Sequence, residues 1–163
     1  EGDRFGGSPT HRPPAVPTCP FGNRPMGFLF ELLTSPARLP LPNVAAVQVY
    51  QSNDVHEGAE FRPQLVVVPN GAEACPEGLV LSNPSVEPQV IGWVSRNDPD
   101  ELGLSIEDLD LYSSKLGGAL PRSPDRDEVV LGQFGEDLAG INFGRLQLLL
   151  VKTAEGTIHG RLE

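Results

Sequence analysis

A chain of 163 residues with 22 acidic and 12 basic side chains carries a formal charge of −10, which excludes general binding to a nucleic-acid backbone, because Lys and Arg drive that binding by releasing condensed counterions. Its 18 glycines and 17 prolines disfavour a long-helix bundle or coiled coil. The longest apolar runs, such as 148–151, fall far short of the ~20 residues a membrane-spanning helix needs, so no membrane role is expected.

Residues 1–25 are crowded with Gly and Pro, as in Gly6-Gly7-Ser8-Pro9 and Arg12-Pro13-Pro14. Each proline fixes its own φ and pushes its predecessor to extended geometry, which predicts an extended loop. The absence of an initiator Met reads as a trimmed or processed terminus. Met26 to Leu33 is apolar nearly throughout and predicts a buried strand, with Val44 to Tyr50 as its partner. Residues 64–68, 79–81 and 89–94 predict three more strands, with turn chemistry at Asn70-Gly71 and Asn83-Pro84. Ser105 opens a short helix candidate, with Asp108 placed to answer the cap and Leu109 and Tyr112 following at helical spacing. Val129 to Phe134 and Arg145 to Lys152 return to the strand pattern.

Phe5-Gly6-Gly7, a proline-bearing loop, Phe28-Leu29-Phe30-Glu31-Leu32 and a Val/Gln/Val strand recur, in the same order, as Leu116-Gly117-Gly118, a proline-bearing loop, Val130-Leu131-Gly132-Gln133-Phe134 and Leu146-Gln147-Leu148-Leu149. An internal repeat of this length reads as two copies of one supersecondary unit. The expected architecture is α+β and strand-rich: two tandem related units packed as one domain. The first covers 1–95. The second, 96–163, begins with an acidic linker and short helix.

Arg4-Phe5-Gly6-Gly7-Ser8-Pro9, Cys19-Pro20, Met26-Gly27-Phe28-Leu29-Phe30-Glu31-Leu32, Ser114-Lys115-Leu116-Gly117-Gly118, Gly132-Gln133-Phe134 and Ile141-Asn142-Phe143-Gly144 reach across most of the chain. In this order they resemble the YwqG-like family of bacterial proteins and, more distantly, the programmed cell death protein 2 group. The resemblance implies a mixed, strand-rich fold with two related halves. It also implies work on other proteins: escort of a basic ribosomal protein in the second group, immunity or interaction roles in the first. Where relatives show Cys-Pro-x-Cys-Gly, this chain reads Cys19-Pro20-Phe21-Gly22, so a zinc knuckle is not expected there.

The residues point away from catalysis. Cys19, Cys75, His11, His56 and His159 include no closely spaced ligand pair, so no metal is expected. Asp98-Pro99-Asp100-Glu101-Leu102-Gly103 copies the start of a calcium loop but fails at its fifth position, Leu102, and its twelfth, Leu109. Cys19 sits among prolines rather than beside a cation that would activate it. His56 and Glu57, with Asp54 nearby, read as a polar loop, since neighbours on a strand point to opposite faces. The pairs Gly6-Gly7 and Gly117-Gly118 lack the Lys-Ser/Thr ending of a phosphate loop and read as turns of the repeat, with Arg4 and Lys115 as cations just before them. Neither catalytic residues nor a cofactor is expected.

What remains is charge. Asp98, Asp100, Glu101, Glu107, Asp108 and Asp110 occupy a stretch without Lys or Arg, with Tyr112 as an aromatic anchor beside it. A single-sign surface steers an oppositely charged partner. The sequence therefore predicts a cytoplasmic, non-enzymatic interaction or chaperone-like module for a basic protein, of the kind an immunity protein or accessory subunit provides. The competing expectation is a small-molecule-binding protein or enzyme with its pocket between the two repeats.

Overall fold

Short β-branched and aromatic runs cut by Gly and Pro favour strands over helices. The computed structural model describes residues 2–52, 63–84, 86–95, 114–116, 127–135 and 147–162. Every regular element in them is a strand: β1 (Arg4–Phe5), β2 (Gly27–Leu33), β3 (Val44–Gln51), β4 (Gln64–Pro69), β5 (Gln89–Val90), β6 (Lys115–Leu116), β7 (Glu128–Phe134), β8 (Leu148–Thr153) and β9 (Ile158–Leu162). The expected α+β class is therefore corrected to all-β, with two antiparallel sheets and no helix among the described residues. That expectation rested on a short capping pattern at Ser105, which lies outside the described residues, and on the mixed fold that the family resemblance implies. Elsewhere the runs between turns are too short and too β-branched to hold a helix.

The chain divides into two compact units, Glu1–Gly92 and Trp93–Glu163. In the first the strand order is β4-β3-β2-β1-β5, in the second β6-β7-β8-β9, and all neighbours run antiparallel. Two predicted strands shrink. Residues 79–81 form a bend, with Ser82 alone bridging Phe28, and of 89–94 only Gln89 and Val90 pair. Pro76, Gly78 and Pro84 break the first, and Gly92 breaks the second.

In the first unit the apolar β2 and β3 lie between other strands, and their side chains are almost wholly buried. The residues the Gly/Pro-rich N-terminal segment contributes pack onto one sheet face. Cys19, Met26, Phe28, Tyr50 and Val80 form a buried cluster there, with Val16, Val66 and Cys75 against it. Phe28 and Tyr50 meet edge-on, centroids 5.8 Å apart. Phe5 and Phe30 pack with their rings tilted at 59° across the β1–β2 pair, centroids 5.4 Å apart.

The two sheets share one register. In β2 the pairing with β3 slips by one residue between Phe28 and Phe30; in β7 the pairing with β8 slips between Val130 and Gly132. Phe5 faces Phe30 and Arg4 faces Glu31; Leu116 faces Gly132 and Lys115 faces Gln133. The bulge matters for side-chain direction. Strand neighbours alternate faces, so residues three apart ordinarily point opposite ways, but one extra residue returns them to the same side. Phe28 lies opposite Tyr50 and Glu31 opposite Gln48. The bulge thus sets Glu31 on the face of the Phe28 and Tyr50 rings.

Candidate functional site

The feature that stands out on that face is a charge. Glu31 is completely buried, where an unsatisfied carboxylate would be very costly. It is satisfied by donors. Thr10 N–H donates to Oε2 at 2.8 Å, and His11 N–H donates to Oε1 at 3.2 Å. Gln48 Nε2 donates to Oε1 at 2.9 Å, and His11 Nδ1 stands 3.3 Å from the same oxygen. Gln48 Nε2 also donates to the His11 carbonyl at 2.7 Å, while its Oε1 accepts the Tyr50 hydroxyl at 2.7 Å. The N–H groups of Thr10, His11 and Gln48 all point at the carboxylate, whose two oxygens accept from them.

The network has a structural task. Residues 10–12 form no element of their own, yet they are fixed from two sides. Glu31 holds the N–H groups of Thr10 and His11, and the backbone of 73–75 pairs with them through Arg12 N to Glu73 O and Cys75 N to Thr10 O. Asp3 is used similarly. Its buried Oδ1 accepts Leu33 N–H at 2.7 Å and Arg38 at 2.9 Å.

Burial makes two groups around this face weaker acids than usual. The Tyr50 phenol is held far above its ordinary range, first by desolvation, then by the charges of Cys75 and Glu31. The Cys75 thiol is pushed up by desolvation and then by Glu31, against a smaller opposing pull from Arg12. Neither thiol is in a disulfide. Cys19 lies in the apolar cluster, whereas His11 turns to Glu31, so the sequence neighbours Cys19 and His11 serve different partners.

Gly6 and Gly7, predicted as turn glycines, have φ of +57° and +66°. Their amides are committed: Gly6 N–H donates to the Leu29 carbonyl of the bulge and Gly7 N–H to Ser82 Oγ. The pair is a turn rather than an anion cradle. The cation before it is a different matter. No hydrogen bond or ion pair is seen for the Arg4 side chain among the described residues, and its Nε is buried. It stands directly across from Glu31 on the same face without pairing with it.

The other predicted site residues, Asp98, Asp100, Glu101, Glu107, Asp108, Asp110, Tyr112, Gly117 and Gly118, lie outside the described residues, as do Asp54, His56 and Glu57. In the second unit Glu128 on β7 meets Arg161 at 2.6 Å and His159 Nε2 at 3.4 Å, both on β9. Among the described residues no three His, Cys, Asp or Glu side chains gather as a metal site, and no helix is long and apolar enough to cross a membrane. The Glu31 network was not foreseen. Its traces in the sequence are Glu31 in the apolar β2 and the pair Gln48 and Tyr50, polar tips placed two apart on β3.

No family model, curated protein or solved structure matches the chain.

Proposed function

We propose that the chain is a binding module for a basic protein, of the chaperone-like or accessory kind, working in the cytoplasm. Charge carries this reading. Acidic side chains outnumber basic ones 22 to 12, and six of them fall between 98 and 110 without an intervening Lys or Arg. Such a run attracts cationic surfaces and repels anionic competitors. Apolar side chains precede it in the chain: Val90 is 72% exposed and Val94 91%. Acidic and apolar groups in close succession are what a basic amphipathic segment would match. By contrast, the buried carboxylates Asp3 and Glu31 are spent on holding backbone. The likeness to the YwqG-like family belongs to the same proposal, and thiols outside any disulfide suit a reducing compartment.

The test is capture on the tagged chain from its native source at low and moderate salt. The expected result is a basic protein retained in stoichiometric amount at low salt and released as salt rises. Retention of nothing, or of a partner indifferent to salt, would overturn the proposal.

A further inference from the structure

An asparagine amide has one nucleophile always within reach, the backbone nitrogen of the next residue, which makes asparagine chemically labile. Attack by that nitrogen on Cγ closes a five-membered ring, and the rate depends on how open the nitrogen is. Asn23, Asn43, Asn70 and Asn83 fall among the described residues, and the residues after them differ. Asn83 is buried and precedes Pro84, whose ring nitrogen carries no hydrogen to lose. Asn43 is exposed but precedes Val44, the first residue of β3, whose branched Cβ crowds its own nitrogen. Asn23 is exposed and precedes Arg24, which carries a long side chain and whose carbonyl accepts Cys19 N–H.

Asn70 differs on each point. It follows β4 directly, and both it and Gly71 are exposed. Gly71 brings no Cβ, and one placed there would meet nothing within 4 Å. The hydrogen bond of the turn runs from Ala72 N–H to the Pro69 carbonyl at 3.3 Å and passes Gly71 by. Gly71 has φ of +80° while Asn70 stays out of the positive region. That is the pattern of a type II turn, whose closing bond uses the N–H of the fourth residue and not of the third. The nitrogen beside the Asn70 amide is therefore unhindered.

We propose that Asn70 is a self-modification site, at which the chain deamidates through Gly71 and acquires an isoaspartyl link. The Gly71 nitrogen bonds to Asn70 Cγ and gives up its proton, while the Cγ–Nδ2 bond breaks and Nδ2 leaves as ammonia. Water then opens the resulting succinimide. Adding at the main-chain carbonyl carbon, it breaks the bond from that carbon to the Gly71 nitrogen and leaves the chain running through Cβ and Cγ as isoaspartate. Adding at Cγ, it gives aspartate. Either product brings a negative charge, and water is the only co-reactant.

The place of the turn gives the isoaspartyl link a consequence. Asn70 N–H donates to the Asn43 carbonyl at 3.1 Å, closing the end of the β3–β4 pair. Just beyond the turn, the Glu73 carbonyl accepts Arg12 N–H at 2.8 Å and Cys75 N–H donates to the Thr10 carbonyl at 2.9 Å. An extra backbone carbon between these attachments shifts residues 73–75 against 10–12, the segment whose N–H groups Glu31 holds. Aspartate, with its backbone unaltered, does not.

The experiment stores the folded full chain in warm, mildly alkaline buffer and follows each asparagine peptide by mass spectrometry, with fragmentation that separates isoaspartate from aspartate. Conversion at Asn70 should run several-fold faster than at Asn23 and Asn43, with isoaspartate the main product and Asn83 unchanged. Gly71→Ala should slow it several-fold by setting a Cβ beside the attacking nitrogen. Amide exchange should show Arg12 N–H less protected in the isoaspartyl chain than in Asn70→Asp, which carries the same charge. Asn70 converting no faster than Asn23 or Asn43, or to aspartate alone, would overturn the site. Equal protection of Arg12 in the two chains would overturn its effect on residues 10–12. If Gly71→Ala does not fold, the ranking of the asparagines in the unaltered chain decides alone.

Discussion

Glu31 and Gln133 occupy the same position in two sheets: each lies one residue beyond the site where a bulge ends, faces the basic residue of the strand before it, and is buried. Their cross-strand neighbours differ. Glu31 faces Gln48, whose amide donates to it, whereas Gln133 faces Leu149. The carboxylate is therefore tolerated in the first unit because a donor was placed opposite and the N-terminal segment was laid over it.

Glu31→Gln should destabilise the chain by roughly 1–3 kcal/mol, because an amide N–H₂ would face the N–H groups that Glu31 now accepts. Urea midpoints read the loss. A Glu31→Gln chain as stable as the parent would contradict a carboxylate that holds the N–H groups of Thr10, His11 and Gln48.

Alkaline pH should unfold the protein by way of Tyr50. An exposed phenol ionises near its ordinary 10.0, while burial holds the folded phenol well above it. Above pH 10 the unfolded chain thus loses a proton that the folded chain keeps, and the stability present below that pH drains away as pH rises. Cys75, raised from 9.0, acts with the same sign from about one unit lower. The urea midpoint should fall as pH climbs past 9 and then 10. Tyr50→Phe should flatten the later part, at a cost near neutrality of about 1 kcal/mol for the hydrogen bond to Gln48. A midpoint unchanged through that range in the parent chain would be inconsistent with a buried phenol.

Gly6 and Gly71 both have left-handed backbone, yet alanine should not cost the same at the two sites. At Gly6 a Cβ would stand 2.7 Å from the Val86 carbonyl oxygen; at Gly71 it meets nothing within 4 Å. Gly71→Ala should cost about 1–2 kcal/mol for the strained φ alone, and Gly6→Ala clearly more because backbone must move. Equal losses in urea melts would show that the turn after β1 is not packed against residues 86–87.

The thiols should differ in reactivity. Cys19 is 2% exposed inside the apolar cluster, whereas Cys75 is partly open but raised in pKa by burial and by Glu31. Alkylation followed by mass spectrometry should label Cys75 first, more slowly than a free thiol at the same pH, and Cys19 only on unfolding. Glu31→Gln should speed labelling at Cys75. Equal rates at the two cysteines would contradict this placement.

The paired strands β2–β3 and β7–β8 were legible because their apolar runs are long and bounded by turn residues, and the order Phe28 to Leu32 against Val130 to Phe134 is visible in the letters alone. The two-residue strands β1 and β6 were not, since two residues carry no periodicity. Both follow from partners far away in sequence. The bulge was equally hidden. Nothing local marks Leu29 as the extra residue, and only after it is placed do Phe28 and Glu31 share a face. For the same reason no local signal in the sequence joins the acidic residue of this apolar strand to His11, twenty residues earlier.

The most direct test of the proposed role compares the parent chain with one carrying Asp98→Asn, Asp100→Asn, Glu101→Gln, Glu107→Gln, Asp108→Asn and Asp110→Asn in the same capture experiment. A basic protein retained by the parent at low salt should be lost from the neutralised chain, while the urea midpoint of the two stays similar. Retention of the same partner by both chains, unaffected by salt, would contradict an acidic binding surface and remove residues 98–110 from the function.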